Sequence, residues 1–263
     1  MNGAWASVKI GGKAADVYDP AGNGRPRFGL IYLHGASLET LTGNPVAARL
    51  FDELHLACVC PHGDYSWWSD RIWSRFDPHV SAEKHILQAI VPYFRERWQI
   101  KPPALGLFGF SMGGQGALRL AFKYAELFPA VAAVSSAIEY YELYGRNASY
   151  GAGRGSPNSG ALPELAVDAM YDSKEQCRQD SVPMHVHPSR YPPHIYFCID
   201  PDDRDWLRGN DRLHEKLTAL GIAHETDFET RKGGHTRAYL DHMADRAIRF
   251  LASALDQESK RLL

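Results

Sequence analysis

The chain has 263 residues, and its 29 Lys and Arg residues against 31 Asp and Glu residues give a formal net charge of -2 at pH 7. This balance argues against a general affinity for nucleic acid, because binding to a phosphate backbone needs clustered positive charge. Hydrophobic residues make up 44% and charged residues 23% of the chain, which excludes disorder over most of its length. A chain of this length can bury enough surface to fold without a disulfide bond or a metal ion.

No segment predicts a membrane span or a secretory signal. The sequence has no run of 18 apolar residues, and its first residues lack a basic stretch followed by an apolar one. We therefore expect a cytoplasmic protein. In that reducing compartment the cysteines are expected to be free, buried thiols; they are Cys58, Cys60, Cys177 and Cys198.

Short apolar runs alternate with helical stretches, which is typical of an α/β fold with a mostly parallel central sheet flanked by helices. Strands are predicted at 5–10, 14–19, 28–35, 56–61, 104–110, 130–137, 194–200 and 224–229. Helices are predicted at 44–54, 81–98, 111–128, 210–220 and 236–256, the fourth capped by Asn210 or Asp211. Residues 138–192 break the pattern, apart from one short helix near 163–171. We expect them to form a loop-rich cap on a single domain of residues 1–263.

The strongest chemical signal is a serine between two glycines, in the segment Gly109-Phe110-Ser111-Met112-Gly113. This segment ends an apolar strand and opens an amphipathic helix, which is the context of a nucleophile elbow. The turn holds the serine in a strained conformation, and glycines leave space for the neighbouring strand and helix. Ser111 is therefore the predicted nucleophile; the alternative is a glycine-rich turn with an incidental serine.

A serine hydroxyl needs a base to remove its proton, and the chain has twelve histidines. His235 lies after the last predicted strand and before the last helix, which is where a fold with this nucleophile places its base. His224 begins that strand and His242 lies inside the helix, so neither suits a catalytic loop. His235 is the predicted base.

A serine and its base need a third residue, a carboxylate that holds the imidazole in one tautomer and stabilises its charged form. We expect this carboxylate just after the strand at 194–200. Four aspartates lie within residues 200–205, at the end of this strand. Asp200 is expected to close the strand, and a short turn would direct Asp203 inward. Asp203 is the predicted acid, with Asp202 and then Asp205 as reserves.

A tetrahedral oxyanion needs two hydrogen-bond donors. One is expected to be the backbone N–H of Met112, directly after the nucleophile. The other is expected from the turn Leu33-His34-Gly35-Ala36-Ser37, where the N–H of Ala36 is the candidate. His34 is interpreted as a structural residue rather than a proton shuttle.

Taken together, these motifs resemble the α/β-hydrolase superfamily, and within it the esterase branch that contains esterase D, feruloyl and acetyl-xylan esterases and the mycolyltransferases. The matching segments are YLHG at 32–35, GFSMGG at 109–114, the acidic turn at 200–205 and GGHT at 233–236. The resemblance implies an α/β-hydrolase fold with Ser111, Asp203 and His235 as a triad, and Met112 and Ala36 as oxyanion donors. It also implies hydrolysis of a small-molecule ester through an acyl-enzyme, without a cofactor.

Two other groups of residues allow more than one interpretation. Trp67 and Trp68, with Trp73 nearby, could form a platform that binds an aromatic acyl group or a sugar, or they could pack in the core or against a lid. His185, His187 and His194 near Cys177 could suggest a metal site, but no carboxylate or Cys-x-x-Cys pair completes a recognisable ligand set. No metal is therefore expected.

Three classes of function fit the sequence. The first is a serine esterase. The second is a serine peptidase or an acyltransferase with the same triad, which would differ in pocket shape and access of water. The third is a non-catalytic binding protein, which the filled triad positions disfavour.

Overall fold

The computed structural model describes residues 3–22, 24–145 and 167–261. The strands are β1 (Ala4–Ile10), β2 (Lys13–Asp19), β3 (Phe28–Leu33), β4 (Leu56–Pro61), β5 (Leu105–Phe110), β6 (Ala130–Val134), β7 (His194–Cys198) and β8 (Glu225–Asp227). The helices are α1 (Pro45–Glu53), α2 (Ala82–His85), α3 (Val91–Trp98), α4 (Met112–Lys123), α5 (Lys174–Gln179), α6 (Val182–His185), α7 (Leu207–Ala219) and α8 (Arg237–Arg261).

The strands of the described residues form one eight-stranded sheet in the order β1-β2-β4-β3-β5-β6-β7-β8. The pairs β1/β2 and β2/β4 are antiparallel, and every other neighbouring pair is parallel. Because the carboxyl ends of parallel strands lie at one edge of a sheet, the loops after β3, β5, β7 and β8 meet there. This is the mostly parallel sheet that the sequence predicts.

Both faces of the central sheet are covered, so its strands are apolar throughout. Ile31 and Leu33 pack on one face with residues of α2, α3 and α4. Leu30 and Tyr32 point to the other face, where α1 and α8 cover them. This alternation follows from the two-residue period of a strand, and it explains why β3 to β6 are buried along their whole length.

Several element boundaries differ from those predicted. The start of α7 is Leu207, preceded by Trp206, rather than a residue capped at Asn210 or Asp211. Asn210 lies inside the helix, and its Nδ2 donates to the carbonyl of Ser136 at 2.8 Å, so a buried tertiary contact occupies the side chain that the sequence assigned to a cap. The predicted helix at 81–98 contains a π-helical turn at Ile86–Ile90, just before Pro92, whose nitrogen has no hydrogen to donate.

The predicted cap at 138–192 is described only in part, because residues 146–166, including the start of its predicted short helix, lie outside the described residues. Val167–Ala169 forms a 3-10 turn. Within the part that the structure describes, Tyr140 stacks on Trp67 at 4.8 Å between ring centroids, and the phenol oxygens of Tyr140 and Tyr171 are 2.8 Å apart. The first contact holds the segment against the loop after β4, and the second joins two parts of the segment itself.

A buried ionic cluster fastens this segment to the helix. Arg119 of α4 is 1% exposed and pairs with Glu83 at the start of α2 and with Asp180 between α5 and α6. The Nε of Arg119 also donates to the backbone carbonyl of Asp180 at 3.0 Å. The hydroxyl of Tyr171 donates to the carboxylate oxygen Oδ2 of Asp180 at 2.7 Å. Burial opposes the ionisation of Glu83 and Asp180, but Arg119 and the surrounding donors keep the pKa of both carboxyls below its usual range.

Among the described residues, no helix has both the length and the apolar character that crossing a membrane requires. The four cysteines are buried and unpaired.

Replacing Arg119 with methionine should lower the free energy of unfolding by about 3 kcal/mol, because two buried carboxylates lose their shared cation. Lys123→Met is the matched control, since Lys123 also pairs with Glu83 but is partly exposed, and it should cost less than about 1 kcal/mol. Urea denaturation of both variants measures the difference. Equal losses would show that the cluster does not depend on Arg119.

Candidate active site

Ser111 lies on a sharp turn between β5 and α4. Its backbone angles are φ 56° and ψ -118°, outside the regions that a residue with a Cβ normally adopts. Hydrogen bonds hold it there: its N–H donates to the Val134 carbonyl at 3.0 Å, and its carbonyl accepts from Ala137 and Gln115 at 3.1 Å each. The neighbouring strand β6 and the helix α4 therefore keep the strained residue in place.

The glycines on either side of this turn have no room for a side chain. A Cβ on Gly109 would lie 2.1 Å from the carbonyl oxygen of Gly113, and one on Gly113 would lie 1.8 Å from that of Leu33. Both contacts are with backbone atoms, so the collision cannot be relieved by rotating a side chain. This is the steric requirement that the sequence motif implied.

Three side chains from three loops form a hydrogen-bonded chain. The Nε2 atom of His235 is 2.8 Å from the Oγ of Ser111, and its Nδ1 is 2.7 Å from Oδ2 of Asp203. Because an ionised carboxylate can only accept, the proton of neutral His235 belongs on Nδ1, and Nε2 is then free to accept from the serine hydroxyl. The arrangement can therefore remove the proton from Ser111.

Asp203 is buried and is fixed by the start of α7. Its side chain is 1% exposed, and its Oδ1 accepts from the backbone N–H of Trp206 at 3.3 Å, which leaves Oδ2 facing His235. The two reserve acids, Asp202 and Asp205, are exposed, and Asp202 pairs with Arg231. The structure thus brings Asp203, and neither reserve, to the imidazole.

The alternative histidines have other partners. His224 Nε2 lies 2.8 Å from Nδ1 of His214, and its Nδ1 lies 2.7 Å from the Ile222 carbonyl. His242 is an interior residue of α8.

A cavity of about 430 Å³ opens beside Ser111 and His235. Its other lining residues are Tyr32, Ala36, Ser37, Glu39, Phe110, Arg237 and Leu240. They come from β3 and the loop after it, from β5, and from the first turn of α8. Phe110 also stacks on the His235 ring at 5.2 Å between centroids. None of the described residues of 138–192 lines this cavity.

His34 shapes the loop that carries Ala36. Its Nε2 accepts from the Gly63 N–H at 2.9 Å, so its proton lies on Nδ1, 2.8 Å from the carbonyl oxygen of Gly35. Burial lowers the pKa of His34 to about 4, which keeps the ring neutral. The Gly35 carbonyl also accepts from the Leu38 N–H at 3.0 Å. Since the C=O and N–H of a trans peptide point in opposite directions, these bonds fix the direction of the Ala36 N–H.

Trp67 and Trp68 do not line the cavity, which corrects the suggestion of a substrate platform. Trp67 is 2% exposed and stacks on Tyr140, and Trp68 is fully buried, with its Nε1 donating to the His34 carbonyl at 3.1 Å. Both residues pack against α4 in the core, and their buried rings have no free face for a ligand. The positions of Trp67 and Trp68 match the other interpretation of these residues, which is packing in the core.

The residues considered for a metal site have separate partners. His194 lies 3.0 Å from Glu258, and His185 lies 3.4 Å from Asp180 in the buried cluster with Arg119. Across residues 3–22, 24–145 and 167–261, no group of three or more His, Cys, Asp or Glu side chains could hold a metal ion.

Asp200 is a buried residue whose contacts the sequence analysis missed. It is 0% exposed, and its carboxylate accepts three backbone N–H groups, from Asp202, Lys232 and Gly234. The sequence offered one signal for it, a cluster of four aspartates after a strand, but that cluster does not show which loop each side chain contacts.

Solved structures with this fold cover nearly all of the chain. An S-formylglutathione hydrolase from Agrobacterium tumefaciens has a TM-score of 0.73 and 16% identity over 97% of this chain and 100% of its own. A ferulic acid esterase has a TM-score of 0.70 and 15% identity over 97% and 100%. A fluorophosphonate-binding serine hydrolase of Staphylococcus aureus has a TM-score of 0.68 and 19% identity over 96% and 99%. These likenesses establish the α/β-hydrolase fold.

A comparison with curated proteins gives no match. The model of the family described as "Putative esterase" matches residues 79–243, which is more than half of the chain and includes Ser111, Asp203 and His235. The chain therefore belongs to this esterase family, as a carboxylic ester hydrolase with the α/β-hydrolase fold.

Proposed function

We propose that this protein hydrolyses carboxylic esters through an acyl-enzyme, with Ser111 as nucleophile, His235 as general base and acid, and Asp203 as the residue that orients and stabilises the imidazole. The observation that carries the proposal is the hydrogen-bonded chain from Asp203 through His235 to Ser111, on a strained turn beside an open cavity. The order of these residues along the chain is that of the fold.

In the first half of the reaction, Ser111 Oγ attacks the ester carbonyl as His235 Nε2 takes the hydroxyl proton. The charge that forms on His235 is stabilised by Asp203. The tetrahedral intermediate then expels the alcohol, which takes the proton from Nε2, and the acyl group remains on Ser111. In the second half, water loses a proton to His235 and attacks the acyl carbon. The bond from that carbon to Ser111 Oγ then breaks, Oγ takes the proton from Nε2, and the carboxylic acid is released.

The oxyanion of each intermediate would be held by the N–H groups of Met112 and Ala36. Met112 begins α4, so its N–H lies at the positive end of the helix dipole. Ala36 lines the cavity, and His34 fixes its peptide from behind. Two preorganised donors in a site partly shielded from water stabilise an oxyanion much more than water does.

The cavity supports a small-molecule ester as substrate. Tyr32, Phe110 and Leu240 give it an apolar side, and Ser37, Glu39 and Arg237 give it a polar one. Two similar solved structures bear the names of an S-formylglutathione hydrolase and a ferulic acid esterase. The cytoplasmic location expected from the sequence stays a prediction, which cell fractionation would test.

Ser111→Ala should lower the rate of hydrolysis of p-nitrophenyl acetate, butyrate and octanoate by at least about 10⁴-fold, because the covalent step is lost. Ser189→Ala, at an exposed serine away from the cavity, is the control and should leave the rate unchanged. A metal chelator should leave the rate of hydrolysis unchanged in the wild type and in both variants.

Three results would contradict this assignment or redirect it. Hydrolysis that survives in Ser111→Ala would reject the nucleophile. Turnover of amides would indicate a peptidase, and alcohols that outcompete water for the acyl group would indicate an acyltransferase. Failure of a fluorophosphonate to label Ser111 would indicate a binding protein.

Asp203→Asn should lower kcat by about 10³- to 10⁴-fold, because an amide N–H facing Nδ1 favours the tautomer whose Nε2 cannot accept the serine proton. Asp202→Asn, at the exposed reserve acid next to it, should have less than a twofold effect. Steady-state kinetics of the two variants distinguish the acids, and equal losses would contradict the role given to Asp203.

His34→Gln should lower kcat about tenfold or more, because its side chain can still accept from Gly63 but no longer anchors the Gly35 carbonyl, which frees the direction of the Ala36 N–H. His34→Asn keeps a donor near the position of Nδ1 and should retain more of the rate. Binding of a trifluoromethyl ketone, which forms an oxyanion, should weaken in parallel with kcat. Equal behaviour of the two variants would show that the Gly35 anchor does not matter.

A further inference from the structure

Two loops bring Asp203 and His235 together, and little regular structure holds the second of them. His235 follows β8, which has only three residues and lies at the edge of the sheet. Between β8 and α8 the chain runs through Lys232, Gly233 and Gly234 with positive φ angles at both glycines. A loop of this kind needs other contacts to hold an imidazole within hydrogen-bonding distance of a carboxylate on a different loop.

The carboxylate of Asp200, which is fully buried, supplies these contacts. Its Oδ1 accepts from the Asp202 N–H at 2.8 Å, on the acid loop. Its Oδ2 accepts from the Lys232 N–H at 2.5 Å and the Gly234 N–H at 2.9 Å, on the histidine loop. The first donor is adjacent in sequence to Asp203 and the last is adjacent to His235. One carboxylate thus joins the two loops at the positions next to the residues that must meet.

The charge of Asp200 is suited to this role. Burial opposes its ionisation, but the three backbone hydrogen bonds outweigh that effect and hold the pKa of Asp200 below its usual range. Hydrogen bonds from N–H groups to an ionised acceptor are roughly twice as strong as those between neutral groups. A buried carboxylate with these bonds is also costly to displace, because any donor it loses would be left without a partner.

Resting on the proposed function, we infer that Asp200 is a positioning residue for the reaction, which sets the distance and orientation between the Asp203 carboxylate and the His235 imidazole by joining their loops. It does not touch the substrate and takes no proton. Its effect is on the hydrogen bond between Asp203 and His235, and through that bond on the ability of His235 to act as base.

Asp200→Asn tests the inference, because an amide places an NH₂ group where a carboxylate oxygen accepted backbone N–H bonds. We expect kcat for p-nitrophenyl butyrate to fall about 10- to 100-fold, with less than a twofold change in KM, since small misplacements of catalytic groups have effects of this size. The low-field proton NMR signal of His235 Nδ1–H should move upfield and broaden, because the bond to Asp203 lengthens and the proton exchanges with solvent.

Asp227→Asn is the matched control. Asp227 is also largely buried and accepts backbone N–H bonds at the start of the same loop, from Glu229 at 3.1 Å and Thr230 at 3.0 Å, but it contacts neither Asp203 nor His235. This variant should lose stability in thermal unfolding while it keeps kcat and the low-field signal. A purely structural role for Asp200 would make the two variants alike.

The outcomes separate this inference from the proposed function. If the wild-type protein neither hydrolyses esters nor reacts with a fluorophosphonate at Ser111, the proposed function fails and the role of Asp200 fails with it. If the wild type is active and Asp200→Asn behaves like Asp227→Asn, only the role of Asp200 is rejected. Asp200→Ser, which leaves space for water, serves as a second variant. If neither Asp200 variant folds while Asp227→Asn does, the carboxylate is a folding requirement and the positioning role is rejected.

Discussion

The backbone of Ser111 is the constraint on which the rest of the site depends. A serine with φ 56° and ψ -118° persists because β6 and α4 give its N–H and carbonyl fixed partners. The same turn brings Ser111 to the cavity and its Oγ to within 2.8 Å of His235 Nε2. Every other element of the site is arranged around this one point, and each must reach it from a different loop.

The parallel sheet makes this convergence possible, but it does not fix the details. The shared edge brings the ends of β3, β5, β7 and β8 into one region. The shared edge alone does not set the distances of 2.7 and 2.8 Å from His235 to Asp203 and Ser111. Hydrogen bonds between the loops and the strands' ends are also needed, and buried polar groups make them. His34 binds the peptide before Ala36, the Trp206 N–H binds Asp203, and Asp200 joins the last two loops. Such polar groups are tolerated in the interior because each has partners.

Sequence patterns predict the order of the elements and three side chains that the structure brings together, Ser111, His235 and Asp203. Alternating apolar runs and a serine between glycines are local signals, so the strands and the position of Ser111 could be read without a structure. The sequence favours Asp203 over Asp202 only through the expected length of a turn, and the structure brings Asp203 to His235. The predicted start of α7 is wrong, because Asn210 is a residue type that caps helices but here donates to the distant carbonyl of Ser136. The contacts of Asp200 and the burial of Trp67 depend on residues far apart in the sequence, which no local pattern contains.

The packing behind α4 has a consequence for the evolution of substrate range. There Trp67, Trp68 and Arg119 are almost fully buried, so a substitution that enlarges the site in that direction would first have to disrupt the core. The cavity beside Ser111 is lined in part by exposed side chains of the loop after β3, Ser37 and Glu39, which lie outside the hydrogen-bonded chain of Ser111, His235 and Asp203. Selection for new esters, in nature or in the laboratory, can therefore vary this loop at small cost in stability. In this scaffold, the residues that can adapt and the residues that must be preserved are separate sets around the same serine.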